Sequence, residues 1–293
     1  MKSIAIVADS NCGMTSEDAE KHGVHLLAMP MFINGKQYFE GKDLTHEQFY
    51  EYLKQDAEVS TSQPSVGEIQ DVFDELLKDH DEVVYIPMSS GLSGTCQTAT
   101  MLANDYDGKV QVVNNQRISV TQRQSALDAV LLRDKGFGAE EIRAKLEEDR
   151  FNSSIYITVD TLKYLKKGGR ITPAAAAVGT ILNIKPVLQI QGEKLDAFAK
   201  ARGLATAKKL MLKAIHSDLE TRFADADAKG RIHIAGAHTC TPEIADAWKE
   251  VIQEEFPNYP VHMDPLPLSI ACHIGYGSLA VTVSSWLPER EEE

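Results

Sequence analysis

The chain has 293 residues, 43% of them hydrophobic and 25% charged, a globular composition with enough apolar mass for two packed cores. Its formal charge of −13 repels a phosphate backbone and argues against nonspecific nucleic-acid binding. No apolar stretch approaches the roughly 20 residues that cross a bilayer, and four cysteines at 12, 96, 240 and 272 with no Cys-x-x-Cys pair argue against a disulfide framework or a zinc site.

The apolar run at 4–8 is too short for a signal peptide and ends at Asp9, so it reads as the first buried strand of a cytoplasmic protein. The polar turn Asp9-Ser10-Asn11-Cys12-Gly13 follows it. Open α/β sheets place ligands at the carboxyl ends of strands, which makes Asp9 and Ser10 candidates to face a cleft. A short helix over 14–22, capped by Thr15 or Ser16, leads to a second apolar run at 24–29, and residues 32–39 carry a hairpin pattern around Asn34-Gly35. The spacing of Phe49, Tyr52 and Leu53 predicts a helix over 45–55.

Ser60-Thr61-Ser62-Gln63-Pro64-Ser65 then sets four hydroxyls and a proline before a helix over 66–77. The free N–H groups and positive dipole end of such a helix suit an anion. Val83-Val84-Tyr85-Ile86 is a buried strand stopped by Pro87, and the loop Ser89-Ser90-Gly91-Leu92-Ser93-Gly94-Thr95 opens a helix around 97–102. Gly91 and Gly94 let backbone approach a ligand, and the hydroxyls suit a carboxylate or a phosphate, although the same residue types are ordinary helix caps. The loop lacks the Gly-Lys-Ser/Thr of a nucleotide loop, and Thr95 stands where a G-x-S-x-G elbow needs its second glycine. A strand at 110–113 and helices at 119–133 and 139–149 complete a first domain over 1–150. The alternation predicts three α/β/α layers around a parallel sheet.

Beyond 150 the pattern changes. A strand at 155–159 precedes a helix over 161–167 that Asp160 is placed to cap, Gly168-Gly169 to end and Arg170 to follow. Thr172-Pro173 starts a helix running through Ala174-Ala175-Ala176-Ala177-Val178-Gly179. So little side-chain volume leaves room for a neighbouring helix or for a slender apolar ligand. Ile181, Leu182, Ile184, Pro186, Val187, Leu188 and Ile190 continue the apolar lining into a strand that turns at Gln191-Gly192-Glu193 into 194–199. Arg202-Gly203 leads to a long helix over 204–219, with further strands at 231–235, 261–264 and 279–283. This predicts a second domain over 151–288, two-layer α/β with a mixed sheet, and an acidic tail at 289–293. His273 falls in the glycine-containing turn Ala271-Cys272-His273-Ile274-Gly275-Tyr276-Gly277-Ser278, and a lone histidine of this kind is more often structural than functional. Eleven Lys or Arg against three acids between Asp160 and Lys213 make that segment net +8 in a remainder of −21. Such a block suits an anionic ligand, a membrane surface or an acidic partner, or is a set of solvated lysines.

In combination these motifs resemble the DegV family of bacterial fatty-acid-binding proteins. The matching pieces are Asp9-Ser10, Thr61-Ser62-Gln63-Pro64-Ser65, Ser89 through Thr95, Asp160-Thr161-Leu162, Leu165-Lys166-Lys167-Gly168-Gly169-Arg170-Ile171, Asn183-Ile184-Lys185-Pro186, Arg202-Gly203 and His273, in family order over nearly the whole chain. The resemblance implies a two-domain α/β fold with one fatty acid lying between the domains. It implies an acyl tunnel, for which Ala174, Ala177, Val178, Ile181, Leu182, Ile184 and Leu188 are the lining candidates, and a carboxyl that meets Thr61 and Ser93. Ser62, the Gly94 N–H, Arg170, Arg202 and His273 would support it. It further implies a noncatalytic, lipid-presenting subunit of a fatty acid kinase, with no metal or cofactor of its own. A separate protein carrying ATP and Mg would phosphorylate the bound carboxylate to an acyl phosphate for phospholipid synthesis. The basic segment would then be a docking face for that kinase or for transient contact with a membrane. The chain departs from the family where Tyr276 replaces the proline of Gly-Pro-Gly, where Ala271-Cys272 precede the histidine, and at 114–125, which lacks a glycine-rich pattern.

Two other readings belong to different classes. One is an autonomous serine hydrolase using Ser93 and His273, with Asp9 the acid nominated to orient the histidine. The other is a binding module for a different apolar acid.

Overall fold

The computed structural model describes residues 2–177 and 184–292, so the lining candidates Val178, Ile181 and Leu182 lie outside the described residues. The chain forms two compact units, Met1–Arg150 together with Glu289–Glu293, and Phe151–Pro288. Among the described residues no helix is long and apolar enough to cross a membrane.

The first unit opens with β1 (Ile4–Asp9), whose six residues are all buried, as expected of a strand covered on both faces. After it come α1 (Ser16–Lys21), β2 (Val24–Leu27), β3 (Met31–Ile33), β4 (Lys36–Tyr38), α2 (His46–Lys54), β5 (Val59–Thr61) and α3 (Val66–Asp79). The unit continues through β6 (Glu82–Ile86), α4 (Thr95–Ala103), β7 (Val110–Val112), α5 (Val120–Asp134) and α6 (Ala139–Glu148). The main sheet is wholly parallel in the order β2-β1-β6-β7. Alternation sends Ala5, Val7, Val83, Tyr85, Val110 and Val112 to one face, where they pack on Ile69 and Phe73 of α3 and on Cys96, Ala99 and Leu102 of α4. The helices α5 and α6 lie on β1, β6 and β7 from the other side, completing the three layers.

A small antiparallel sheet, β4-β3-β5, stands beside the main one. Its hairpin turns at Asn34 and Gly35, with φ of 50° and 81°, the left-handed pair that a two-residue turn requires. The third strand, β5, is not apparent in the sequence. Three residues are too short for a periodic signal, and its partner β3 decides it by pairing Ile33 with Val59 and Met31 with Thr61.

Behind α5 lies a polar cluster that hydrophobic patterning does not show. Arg117 is buried and donates from Nη2 to Asp149 Oδ2 at 2.6 Å and to the Asp149 carbonyl at 2.8 Å. Gln124 Nε2 donates to Asp128 Oδ1 at 2.8 Å. Burial pushes the Asp128 carboxyl up to about 7 against the pull of the Arg117 charge. The C-terminal residues return to this region: Lys145 Nζ donates to Glu289 Oε1 at 2.6 Å, and Arg290 Nη2 stands 3.7 Å from Asp128 Oδ1.

The second unit comprises β8 (Ser153–Thr158), α7 (Lys163–Gly168), α8 (Pro173–Ala176), β9 (Ile184–Ile190), β10 (Asp196–Arg202), α9 (Leu204–Glu220) and α10 (Ala224–Ala228). It closes with β11 (Ile232–His238), α11 (Pro242–Glu255), β12 (Val261–Pro265), α12 (Leu268–Ile274) and β13 (Leu279–Ser285). Its sheet is mixed, in the order β10-β9-β8-β13-β11-β12, and antiparallel except for the pair β11 and β12. Met211 and Ile215 of α9 and Trp248 and Ile252 of α11 pack with Val187, Ile234 and Val281 into one core. The buried Trp248 satisfies its Nε1–H on the Ala280 carbonyl at 2.9 Å.

Three local expectations change. Asp160 is not a helix cap: α7 starts at Lys163, whose N–H donates to Thr161 Oγ1 at 3.1 Å, while Asp160 accepts from Lys185. His273 sits in the last turn of α12 and not in a loop. Between the strands expected at 231–235 and 261–264, where no helix is expected, the chain forms α11, which starts at Pro242 directly after Thr241.

Candidate functional site

Two hydroxyl-bearing segments of the first unit approach each other. Thr61 ends β5, and the Ser62 N–H donates to the Pro30 carbonyl at 3.4 Å. Ser93 ends a loop wound around Ser89, whose carbonyl accepts from the N–H groups of Leu92 at 2.9 Å and Ser93 at 3.1 Å. Its hydroxyl shares a 2.8 Å hydrogen bond with Thr95 Oγ1 and accepts from the Thr95 N–H at 3.2 Å. Gly94 caps α4 with no side-chain cap. Its N–H has no acceptor among the described residues, which leaves a donor of the kind a carboxylate uses.

Gln63 links the two segments. Its Nε2 donates to Thr98 Oγ1 at 3.1 Å, that hydroxyl lies 3.2 Å from Gln63 Oε1, and a Cβ placed on Gly94 would come within 2.8 Å of the same Oε1. The second helix end expected to suit an anion, at α3, carries a local cap. Ser65 Oγ accepts from the Glu68 N–H at 3.2 Å while the Glu68 carboxylate accepts from the Ser65 N–H at 2.7 Å. That reciprocal cap takes up the N–H groups of Ser65 and Glu68 and sets a negative charge beside the helix end, which disfavours an anion there. Thr61 and Ser62 are candidates through their hydroxyls, and Ser62 Oγ donates to the Gln63 carbonyl at 3.0 Å.

Asp9 and Ser10 brace these segments from below. Asp9 is 0% exposed, and its carboxylate accepts from the N–H of Met88 at 2.8 Å, from Gln122 Nε2 at 2.9 Å and from the Asn11 backbone and side chain at 3.1 and 3.0 Å. Burial raises its pKa, and these four donors oppose the shift. Met88 leads directly into the serine loop, so Asp9 faces inward and anchors it. Ser10 Oγ accepts from the Met29 N–H at 3.0 Å, one residue before the Pro30 carbonyl that holds Ser62. Asp9 and Ser10 stand out in the sequence, with Asn11 and Gln63 inside the same polar motifs, but Thr98 and Gln122 do not, because they meet their partners from 35 and 113 positions away.

In the second unit, His273 packs against Gly168, and Arg170 donates from Nη1 to the Gly168 carbonyl. Burial, reinforced by the Arg170 charge, lowers His273 to about 4, so its ring is neutral at neutral pH. Arg202 ends the edge strand β10, exposed, opposite Ile184. Strand alternation therefore sets Arg202 and Lys200 on the same face as Ile184 and Leu188. Leu188 is fully buried there, while Ala174 and Ala177 are exposed.

A family model for uncharacterised proteins of the DegV family matches residues 3–285. The chain belongs to the DegV family. A DegV domain-containing protein of Staphylococcus aureus is 30% identical over 280 residues, covering 95% of this chain and 97% of that protein. Protein DegV of Bacillus subtilis is 30% identical over 281 residues, covering 95% and 98%. The solved structure of a DegV family protein from Thermus thermophilus, described as showing fatty acid binding, aligns with a TM-score of 0.86 at 30% identity over 97% of this chain and 100% of that one. That of DegV from Bacillus subtilis, described as a fatty acid binding protein, aligns with a TM-score of 0.83 at 29% identity over 98% and 100%. The parallel-sheet unit and the mixed-sheet unit are thus the two domains of a DegV fold. The DegV headgroup candidates divide into Thr61, Ser62, Ser93 and Gly94 on the first unit and Arg170, Arg202 and His273 on the second.

Proposed function

We propose that this chain binds a long-chain fatty acid and presents its carboxylate to a separate kinase. The supporting observation is similarity along almost the whole chain, at 30% and 29% identity, to two DegV proteins described as binding fatty acid. The headgroup seat is assigned to Thr61, Ser62, Ser93 and the Gly94 N–H of the first unit. The acyl lining falls to Ala174, Ala177, Ile184 and Leu188. At about 0.8 kcal/mol per buried CH₂, a long tail supplies most of the affinity and the head needs only orientation.

Neutral hydroxyl and amide donors suit presentation. They hold a carboxylate without the charge pairing that would blunt it as a nucleophile, so a carboxylate oxygen can attack the γ-phosphorus of ATP held with Mg on the partner. The products are an acyl phosphate, used in phospholipid synthesis, and ADP. Arg170 and Arg202 are the groups assigned to steady the added charge, and the basic segment is assigned to docking with the kinase or a membrane surface. The chain itself then carries no cofactor and no catalytic group, and it works in the cytoplasm.

The hydrolase reading is weaker on chemical grounds. The charge beside His273 is the cation of Arg170, opposite in sign to the carboxylate that orients a triad histidine, and a pKa of about 4 makes a poor general base. Native mass spectrometry of protein purified from bacterial cells tests the carrier reading. One bound acyl chain is the expected mass excess, and an empty chain that also fails to take up palmitate or oleate would reject it. A copurified apolar acid of another kind would favour the alternative binding module.

A further inference from the structure

Gln63 lies in the chain between the exposed Ser62 and the buried Pro64, and it reaches 35 positions along the chain to Thr98 on α4. We propose that this Gln63–Thr98 latch sets the spacing of the two headgroup segments, and that it thereby governs preference for a carboxyl head over other long-chain heads. The proposal rests on the fatty-acid reading above and assigns Gln63 and Thr98 as positioning residues.

The donors on one side belong to the end of a three-residue strand and the loop after it, and those on the other to the start of a helix. Serving one small headgroup from both sides requires their separation to be held to about 0.5 Å. The Gln63 carboxamide can do this without competing, because it is neutral and so neither neutralises a bound carboxylate, as arginine would, nor repels it, as glutamate would. Gly94 is part of the same device. Its N–H has no acceptor among the described residues, and its missing side chain leaves the space that Gln63 Oε1 occupies, 2.8 Å from where a Cβ would stand. A side chain at 94 would push the carboxamide away and unlatch the pair.

The test uses Gln63→Ala, Thr98→Val and the double variant, with palmitate and hexadecanol as probes that share a tail and differ in the head. Each single change should lower the palmitate-to-hexadecanol affinity ratio roughly two- to ten-fold, the size of one neutral hydrogen bond, and the double change should lower it no further. In ligand-free protein, amide hydrogen exchange should rise together at 60–63 and 89–95 in each variant. A ratio unchanged in both single variants, losses that multiply in the double, or exchange that stays at wild-type level in either segment would overturn the latch. Wild-type protein that binds neither probe would instead reject the fatty-acid reading, and exchange alone would then decide whether the latch holds the two segments.

Discussion

The imidazole of His273 occupies the volume that a side chain on Gly168 would need. This contact belongs to the packing of α12 on α7, and it explains a glycine at a helix end that another glycine, Gly169, already terminates in the left-handed conformation at φ 69°. Gly168→Ala should therefore cost about 1–3 kcal/mol of stability through overpacking. Urea denaturation measures it, and an unchanged midpoint would show that the ring can move aside freely.

The same histidine makes stability depend on pH. His273 lies near 4 in the folded chain against an ordinary value of 6.5. Between these values the unfolded state holds the proton and the folded state does not. The contribution is therefore fully present above about 6.5 and is lost as pH falls toward 4, by up to about 3 kcal/mol. His273→Gln should flatten this part of the stability profile, as measured by denaturation from pH 7 to pH 4.

Asp128 acts in the opposite direction. Its carboxyl, buried among Arg117, Asp149, Gln124 and Arg290, is raised from 3.8 to about 7. As pH falls through 7 the folded state takes up the proton first, so folding gains stability on acidification. Asp128→Asn removes that dependence, and relative to wild type it should be more stable at pH 8 than at pH 5.

The buried pair of Arg117 and Asp149 is expected to show the asymmetry of buried charges. Arg117→Met leaves the Asp149 carboxylate enclosed without its 2.6 Å partner, at a cost of about 3–5 kcal/mol. Arg117→Met with Asp149→Leu should recover much of that loss. Equal loss in the single and double variants would show that packing volume, and not charge, sets the cost.

For the headgroup seat, Thr61→Ala and Ser93→Ala should each weaken fatty-acid binding by about 1 kcal/mol, one neutral hydrogen bond apiece. Acyl phosphate formation with the partner kinase should fall further, since orientation of the carboxylate matters more to attack than to retention. Wild-type activity in the double variant would place the carboxyl elsewhere.

Much of the architecture is legible in the chain because its signals are local. The continuous apolar runs at β1 and β6 mark buried parallel strands, Asn34-Gly35 marks the hairpin, and Thr45, Ser65 and Thr172 are N-caps that accept the expected backbone hydrogen bonds. Residues such as Val59 and Asp160 mislead for the converse reason. A three-residue strand carries no period, and an acid before a helix caps only if no better cation, here Lys185, competes for it.

Local composition by itself determined the alternation of strands and helices, the change of character near residue 150, and the two hydroxyl-rich segments with their glycines. Tertiary structure decided what those segments do. It left the Gly94 N–H of α4 open, turned Asp9 inward beneath the serine loop and brought Gln63 to Thr98, whereas the Ser65–Glu68 cap of α3 is local, three residues apart. A hydrogen bond between residues far apart in sequence, such as Gln63 to Thr98 or Gln122 to Asp9, leaves no mark on the pattern around either one, because each end is satisfied only by a group the fold brings to it.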